Sequence, residues 1–201
     1  MKKIPLSFYD RKDAVIIARE LLGKIIVTNF SRQVTSGRIV ETEAYLGFTD
    51  KASHAYAFKR IARNEHMYSP PGTAYVYICY GMHTMFNIVT NKKDIPDAVL
   101  IRAIEPVRGI DIMAERTQKE IKDPTLTRGP GNVGKALGIF KHHSGLLLLD
   151  DKIFLLDEDK KVPDEQIGIS QRIGVDSAGK DSLLPYRFYL KGNKYVSGKK
   201  S

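Results

Sequence analysis

The 201-residue chain holds a single cysteine, Cys79, which excludes an intramolecular disulfide and agrees with a reducing compartment. No apolar run approaches the ~20 residues of a membrane span. The opening Met1-Lys2-Lys3-Ile4-Pro5 also lacks the long apolar core of a signal peptide. A soluble cytoplasmic protein with no membrane partner is expected. The five histidines are His54, His66, His83, His142 and His143, without a paired-cysteine motif and without a histidine pair at helical i, i+4 spacing, so no metal site is expected. Acidic residues are in deficit: 23 stand against 32 lysines and arginines, a net charge of +9. That excess favours polyanionic partners, chiefly nucleic acid. No fixed-period repeat and no linker divides the chain, so residues 1–201 are read as one domain, with roughly residues 192–201 as a frayed basic tail.

What is present centres on Gly37 to Tyr45, Gly-Arg-Ile-Val-Glu-Thr-Glu-Ala-Tyr. In an extended strand, alternation puts Val40, Thr42, Ala44 and Leu46 on one face and Ile39, Glu41, Glu43 and Tyr45 on the other. Two carboxylates beside a phenol on one face of a β-rich run are out of character for a strand, where acids are depleted. A solvent-facing edge strand, kept soluble by its acids, is one reading; a functional carboxylate face is the other.

The surrounding pattern is α+β. Asp10 can cap a helix through Ala14, Ile17, Ala18, Leu21 and Leu22, with Gly23 as its stop. Strands are expected over Lys24 to Phe30, paired as a hairpin with the Gly37 strand through a turn at Arg32 to Gly37. Further strands run over Thr73 to Tyr80, Thr84 to Thr90, and Ala98 to Glu105 ending at Pro106. Weaker ones lie near Leu146 to Leu149 and Ile153 to Leu156, and Tyr186 to Leu190 closes the set. A helix covers Asp111 to Arg116. Because strands bunch instead of alternating with helices, the expected architecture is one mostly antiparallel, curved sheet with flanking helices.

Gly129-Pro-Gly-Asn-Val-Gly134-Lys135-Ala136 approaches the phosphate-binding pattern G-x-x-x-x-G-K-[ST]. Ala136 has no hydroxyl to hold Mg²⁺, and no apolar strand precedes the first glycine, so a nucleotidase is set aside. Three other residues are out of place. Asn87 and Arg102 lie inside apolar strands and need buried partners, Glu43 being the obvious anion for Arg102. Tyr80 stands against Gly81 at a hairpin tip, where an aromatic is easily exposed. Tyr75 and Tyr77 read as packing residues, and a lone histidine such as His54 as a satisfied or exposed side chain.

Together these stretches resemble the alkyladenine DNA glycosylase family, also called 3-methyladenine or methylpurine DNA glycosylases. The similar segments are Glu41-Thr-Glu-Ala-Tyr-Leu-Gly47, His54, Arg63-Asn64, Pro71-Gly-Thr-Ala-Tyr-Val-Tyr-Ile-Cys-Tyr-Gly-Met82, Asn87-Ile88, Val99-Leu-Ile-Arg-Ala-Ile-Glu-Pro106, Arg128-Gly-Pro130 and Arg172-Ile-Gly-Val175. The resemblance implies a monofunctional repair enzyme that flips a damaged purine from double-stranded DNA and hydrolyses its N-glycosidic bond, as a monomer and without a cofactor. It implies Glu43 as the base that activates water, with Arg102 and the backbone carbonyl of Ile173 beside that water. Tyr45, His54 and Tyr77 would enclose the flipped base, and Asn87 would exclude guanine. Tyr80 would be the wedge entering the minor groove, and Met82, Arg63, Asn64 and Leu100 would lie on the DNA side. The rival is a basic nucleic-acid-binding module without catalysis. A second rival is a nucleoside hydrolase or formyltransferase-like protein acting on small molecules.

Overall fold

A computed structural model describes residues 1–198. Its strands are β1 (Lys2–Lys3), β2 (Ile25–Phe30), β3 (Gln33–Tyr45), β4 (Ala74–Cys79), β5 (His83–Thr90), β6 (Asp97–Arg108), β7 (Ile153–Asp157), β8 (Ile167–Ser170) and β9 (Arg187–Leu190). The α-helices are α1 (Leu6–Tyr9), α2 (Ala14–Glu20), α3 (Ile110–Thr117) and α4 (Pro130–Leu137). The strands form one antiparallel sheet in the order β1-β7-β2-β3-β6-β5-β4, with β9 pairing both β3 and β8. The α+β class with a mostly antiparallel sheet is the one the sequence pattern predicts. Among the described residues no helix is long and apolar enough to cross a membrane.

The sheet divides the molecule by side-chain alternation. Ala74, Val76, Phe86, Ile88, Val99 and Ile101 face the main core, where they meet Ile17 and Ala18 of α2, Met113 of α3, and Val133, Ala136 and Leu137 of α4. The alternate residues Tyr75, Tyr77, Val89 and Ala98 build a second cluster with Ala55, Met67 and Tyr68. Helices thus cover one face, and the aromatic cluster lies on the other.

β3 is a central strand, not an edge, and Glu41 and Glu43 are fully buried. Besides a shift at Ser36/Gly37 near the start of the ladder, the register is broken beside the carboxylates. Ile39 pairs with Ile104 and Glu41 with Ala103, so Val40 is an extra residue; Thr42 then pairs with Ile101, so Arg102 is an extra residue in β6. The two bulges compensate. Contrary to strict alternation, Ile39 joins the main core, while Val40 packs with Ala103 and Tyr195 on the carboxylate side.

Several boundaries differ from the sequence reading. Asp13, not Asp10, caps α2, accepting bonds from the amides of Val15 (2.9 Å) and Ile16 (3.0 Å). The β2–β3 turn is only Ser31–Arg32, both left-handed (φ 50° and 63°), so residues 33–37 are already strand. β6 continues through Pro106, because β5 pairs β6 only over residues 97–100 and leaves that stretch with β3 as its paired strand. Leu146 to Leu149 is not a strand and makes one isolated bridge, Thr73 to Leu147. The glycines of α4 mask it in the sequence. Pro130 suits a first helical position, and Gly134 permits a close approach: a Cβ there would lie 2.5 Å from the Thr84 carbonyl oxygen on β5.

The segment expected to fray is pinned instead. Asn193 Nδ2 donates to Glu105 (3.1 Å), Tyr195 is buried against Val40 and Ala103, and the Ser197 amide donates to Glu41 Oε2 (2.7 Å). Residues 199–201 of that expectation lie outside the described residues. Gly134→Ala should force α4 off β5 and lower stability by about 1–3 kcal/mol in urea unfolding; an unchanged midpoint would show that the helix shifts freely.

Candidate active site

Glu43 lies at the centre of the carboxylate face. Its Oε1 accepts the Ile173 amide at 2.8 Å, and its Oε2 accepts the Tyr45 hydroxyl at 2.8 Å and Arg102 Nη1 at 3.2 Å. A carboxylate offers about four acceptor positions, so three are filled and one on Oε1 remains. Arg102 also reaches Glu41, its Nε lying 3.1 Å from Oε1. The sequence reading pairs it with Glu43 alone; the bulge places it between both carboxylates. Burial works against the Arg102 charge, but Glu43 and Glu41 outweigh it and raise its pKa.

Arg187 of β9 adds a second guanidinium, with Nε 2.7 Å from Glu41 Oε1. A cation within the strand Tyr186 to Leu190 carries the same signal as Arg102 and could have been read from the sequence. Arg172 stands out in the sequence only as part of a motif. It is buried, forks onto Asp50 with Nη2 2.9 Å from Oδ1, donates to the Ala44 carbonyl at 3.0 Å, and lies over the Tyr45 ring at 4.7 Å. It thereby fastens the loop whose next amide, Ile173, reaches Glu43.

Beside Glu43 a cleft opens that is lined by Tyr45, Ser53, His54, Met67, Tyr75, Tyr77 and Asn87. The register brings Tyr45 on β3 and Asn87 on β5 to opposite sides of β6: Glu43 and Asn87 both pair with Leu100. His54 Nδ1 sits 2.8 Å from the Tyr75 hydroxyl, and its ring meets Tyr77 edge-on, centroids 4.5 Å apart. Tyr75 is therefore more than packing. Burial, and then Glu43, raise the Tyr45 phenol well above its usual range, and burial chiefly pushes Tyr77 up to about 12. Burial, with Arg63 and Lys59 nearby, lowers His54 to about 4, so its imidazole is neutral at neutral pH. Among the described residues no three His, Cys, Asp or Glu side chains converge to hold a metal ion.

The β4–β5 hairpin carries Tyr80 at its tip, left-handed (φ 49°) beside Gly81 and 87% exposed, with Met82 75% exposed. Arg63 is exposed near them, its guanidinium 5.5 Å from the Tyr77 ring centre. Two residues expected on the DNA side are not there. Asn64 is buried and holds its own loop together, donating to the carbonyls of His54 (2.9 Å) and Lys59 (2.8 Å) and accepting from the Ile61 amide (2.7 Å). Leu100 is 4% exposed in the middle of the sheet between Glu43 and Asn87. A paired, buried side chain has no surface left for a duplex.

The family profile described as methylpurine-DNA glycosylase matches residues 7–194. The chain belongs to that family. It is accordingly a monofunctional DNA glycosylase, a repair enzyme that hydrolyses N-glycosyl bonds. Relatives whose names carry the words 3-methyladenine DNA glycosylase occur in Desulfitobacterium hafniense, 44% identical over 206 positions that cover 99% of this chain and all of the relative. One in Chlamydia felis is 45% identical over 188 positions, 93% of this chain and 95% of its own. One in Carboxydothermus hydrogenoformans is 46% identical over 197 positions, 98% and 99% of the two chains.

In this glycosylase the depressed His54 pKa ties the cleft to folding. The unfolded histidine binds its proton near pH 6.5 and the folded one only near pH 4. The contribution from neutral His54 is therefore complete above pH 6.5 and is lost as pH falls from there to 4, at most about 3 kcal/mol. His54→Gln should flatten the fall in urea-unfolding free energy between pH 7 and 4; identical slopes for the two proteins would refute the assignment.

Proposed function

We propose that the protein excises alkylated or deaminated purines, of the class of 3-methyladenine, 7-methylguanine, hypoxanthine and etheno-adenine, by flipping them from duplex DNA. It acts as a monomer in the cytoplasm, and the product is an abasic site. The observation that carries the reading is the Glu43 carboxylate, buried, oriented by three donors, left with one open acceptor position and bonded to Tyr45, which lines the aromatic cleft.

That open position on Oε1 suits a water. Glu43 takes a proton from it as the water oxygen attacks C1′, and the electrons of the N-glycosidic bond leave with the base. The carboxylate charge also favours an oxocarbenium-like transition state, as it does in glycoside hydrolysis. Arg102 and the Ile173 amide keep the carboxylate oriented. A purine methylated at N3 or N7, such as 3-methyladenine or 7-methylguanine, carries positive charge and already leaves readily, so for it binding and positioning are the larger demands. The faces of Tyr45 and Tyr77 attract such a cation by roughly 0.5–2 kcal/mol each. A neutral His54 does not repel it. Asn87, anchored to the Tyr75 carbonyl at 3.2 Å, is suited to rejecting the exocyclic amino group of guanine.

Flipping costs a few kcal/mol, less at a damaged base, and an inserted apolar side chain offsets part of it. Tyr80 is suited to that role by its exposure at the hairpin tip, with Met82 beside it and the net charge of +9 drawing in the phosphates. Arg63 is an exposed basic side chain beside the cleft, its guanidinium 5.5 Å from the Tyr77 ring centre.

Single-turnover release from end-labelled duplexes carrying hypoxanthine or etheno-adenine, and from alkylated DNA containing 3-methyladenine, tests the reading. Glu43→Gln should bind DNA and slow release by about 10²–10⁴-fold. Wild-type binding without release of any damaged base would leave a binding module, and release from free nucleosides would point to a small-molecule hydrolase. Tyr80→Ala should slow release from duplex by about tenfold or more while shifting stability by less than about 0.5 kcal/mol. Undiminished turnover on duplex would remove Tyr80 from the wedge role.

A further inference from the structure

Glu41 has no part in the chemistry above, yet it is fully buried and four donors converge on it. Arg102 Nε (3.1 Å), Arg187 Nε (2.7 Å) and Ser197 Oγ (2.8 Å) donate to its Oε1, and the Ser197 amide donates to its Oε2 at 2.7 Å. Ser197 is thus half of what occupies this carboxylate. It also meets both guanidiniums: Arg102 Nη2 donates to its Oγ at 3.3 Å, and Arg187 Nη2 to its carbonyl at 2.6 Å. The segment that delivers it is docked independently. Arg128 donates to the Lys194 carbonyl, and Tyr195 is buried against Val40, the bulged residue of β3. Tyr195, Val196 and Ser197 lie beyond the residues that the family profile matches.

The geometry points to Ser197 as a positioning residue for base excision: by occupying Glu41 and Arg102 Nη2 together, it keeps Arg102 Nη1 on Glu43. This rests on the reading of Glu43 as the general base. The physical reason is the competition of two buried carboxylates for one guanidinium. Nε and Nη2 of an arginine form a fork that matches a carboxylate in a bidentate pair. Here Nε is on Glu41 while Nη2 is diverted to Ser197 Oγ, so the fork is only half closed on Glu41. Without the hydroxyl, Glu41 Oε1 loses one of its three donors and Nη2 loses its acceptor, in a site that is almost wholly buried. A buried polar group left unpaired costs about 1–3 kcal/mol. Closing the fork on Glu41 satisfies both groups and draws Nη1 from Glu43, whose orientation then depends on Tyr45 and Ile173 alone.

The test compares wild type, Ser197→Ala, Ser197→Thr, a chain ended at Val196, and Glu43→Gln. The substrate is the lesion duplex that wild type processes fastest, under excess enzyme. Ser197→Ala should lower the maximal single-turnover rate by about tenfold, leave the dissociation constant for the duplex within about twofold, and be rescued by Ser197→Thr, which keeps both donors. The shortened chain should lose at least as much. Should it fail to fold by circular dichroism, Ser197→Ala, which removes one oxygen, decides the matter. In an Arg102→Gln background Ser197→Ala should add no further loss, because residues acting through one another are not additive.

A Ser197→Ala enzyme that turns over at the wild-type rate overturns the inference. So does a loss that threonine does not restore, or one that adds in full to the Arg102→Gln loss. Glu43→Gln separates this failure from failure of the underlying reading. If Glu43→Gln is inactive while Ser197→Ala is indifferent, only the role of Ser197 falls; if Glu43→Gln remains active, the base assignment falls and takes the inference with it.

Discussion

Two carboxylates and two guanidiniums share the dry centre of the sheet, and the rest of the site depends on their balance. Glu41 and Glu43 are fully buried, and Arg102 and Arg187 nearly so. Taking such ions out of water is expensive, and their mutual attraction offsets the loss only when geometry is good and the remaining donors and acceptors are met. Here they are met by Tyr45, the Ile173 amide and Ser197. Removing one ion from such a set leaves an uncompensated charge, at a cost of about 3–5 kcal/mol. The network thus ties folding to this carboxylate: the chain folds well only with Glu43 held among its partners.

The architecture explains how a sheet tolerates this. Ordinary pleating would send adjacent residues to opposite faces. The bulge at Val40 and its counterpart at Arg102 bring an extra residue from each strand to the carboxylate side. Helices α2, α3 and α4 fill the other face with aliphatic side chains, which keeps the ions away from the core that supplies most of the hydrophobic stabilisation.

Much of the site is legible in the sequence because its residues break local rules. Acids in a strand mark Glu41 and Glu43, a cation in an apolar run marks Arg102, and an aromatic against a turn glycine marks Tyr80. Where the family pattern is carried across without such a physical signal, it misleads. Asn64 and Leu100 belong to matching motifs, yet one ties a loop together and the other is sealed inside the sheet. The parts that escape a sequence reading share a different cause. α4 has two glycines and a proline in eight residues, β8 spans four residues, and the docking of Ser197 on Glu41 joins positions 156 residues apart. Local propensity has no access to contacts of that range. Bulges are equally invisible to a period-2 reading, which is why it puts Ile39 and Val40 on the wrong faces.

The compensation between the two bulges has a consequence for how this protein can change. Register is disturbed at Glu41 and restored by Thr42, so the irregularity is spent within a single step along the strand. Substitutions among the residues that line the cleft are therefore insulated from the helix-covered core, and the shape of the cleft can change without rebuilding the scaffold that holds the carboxylates.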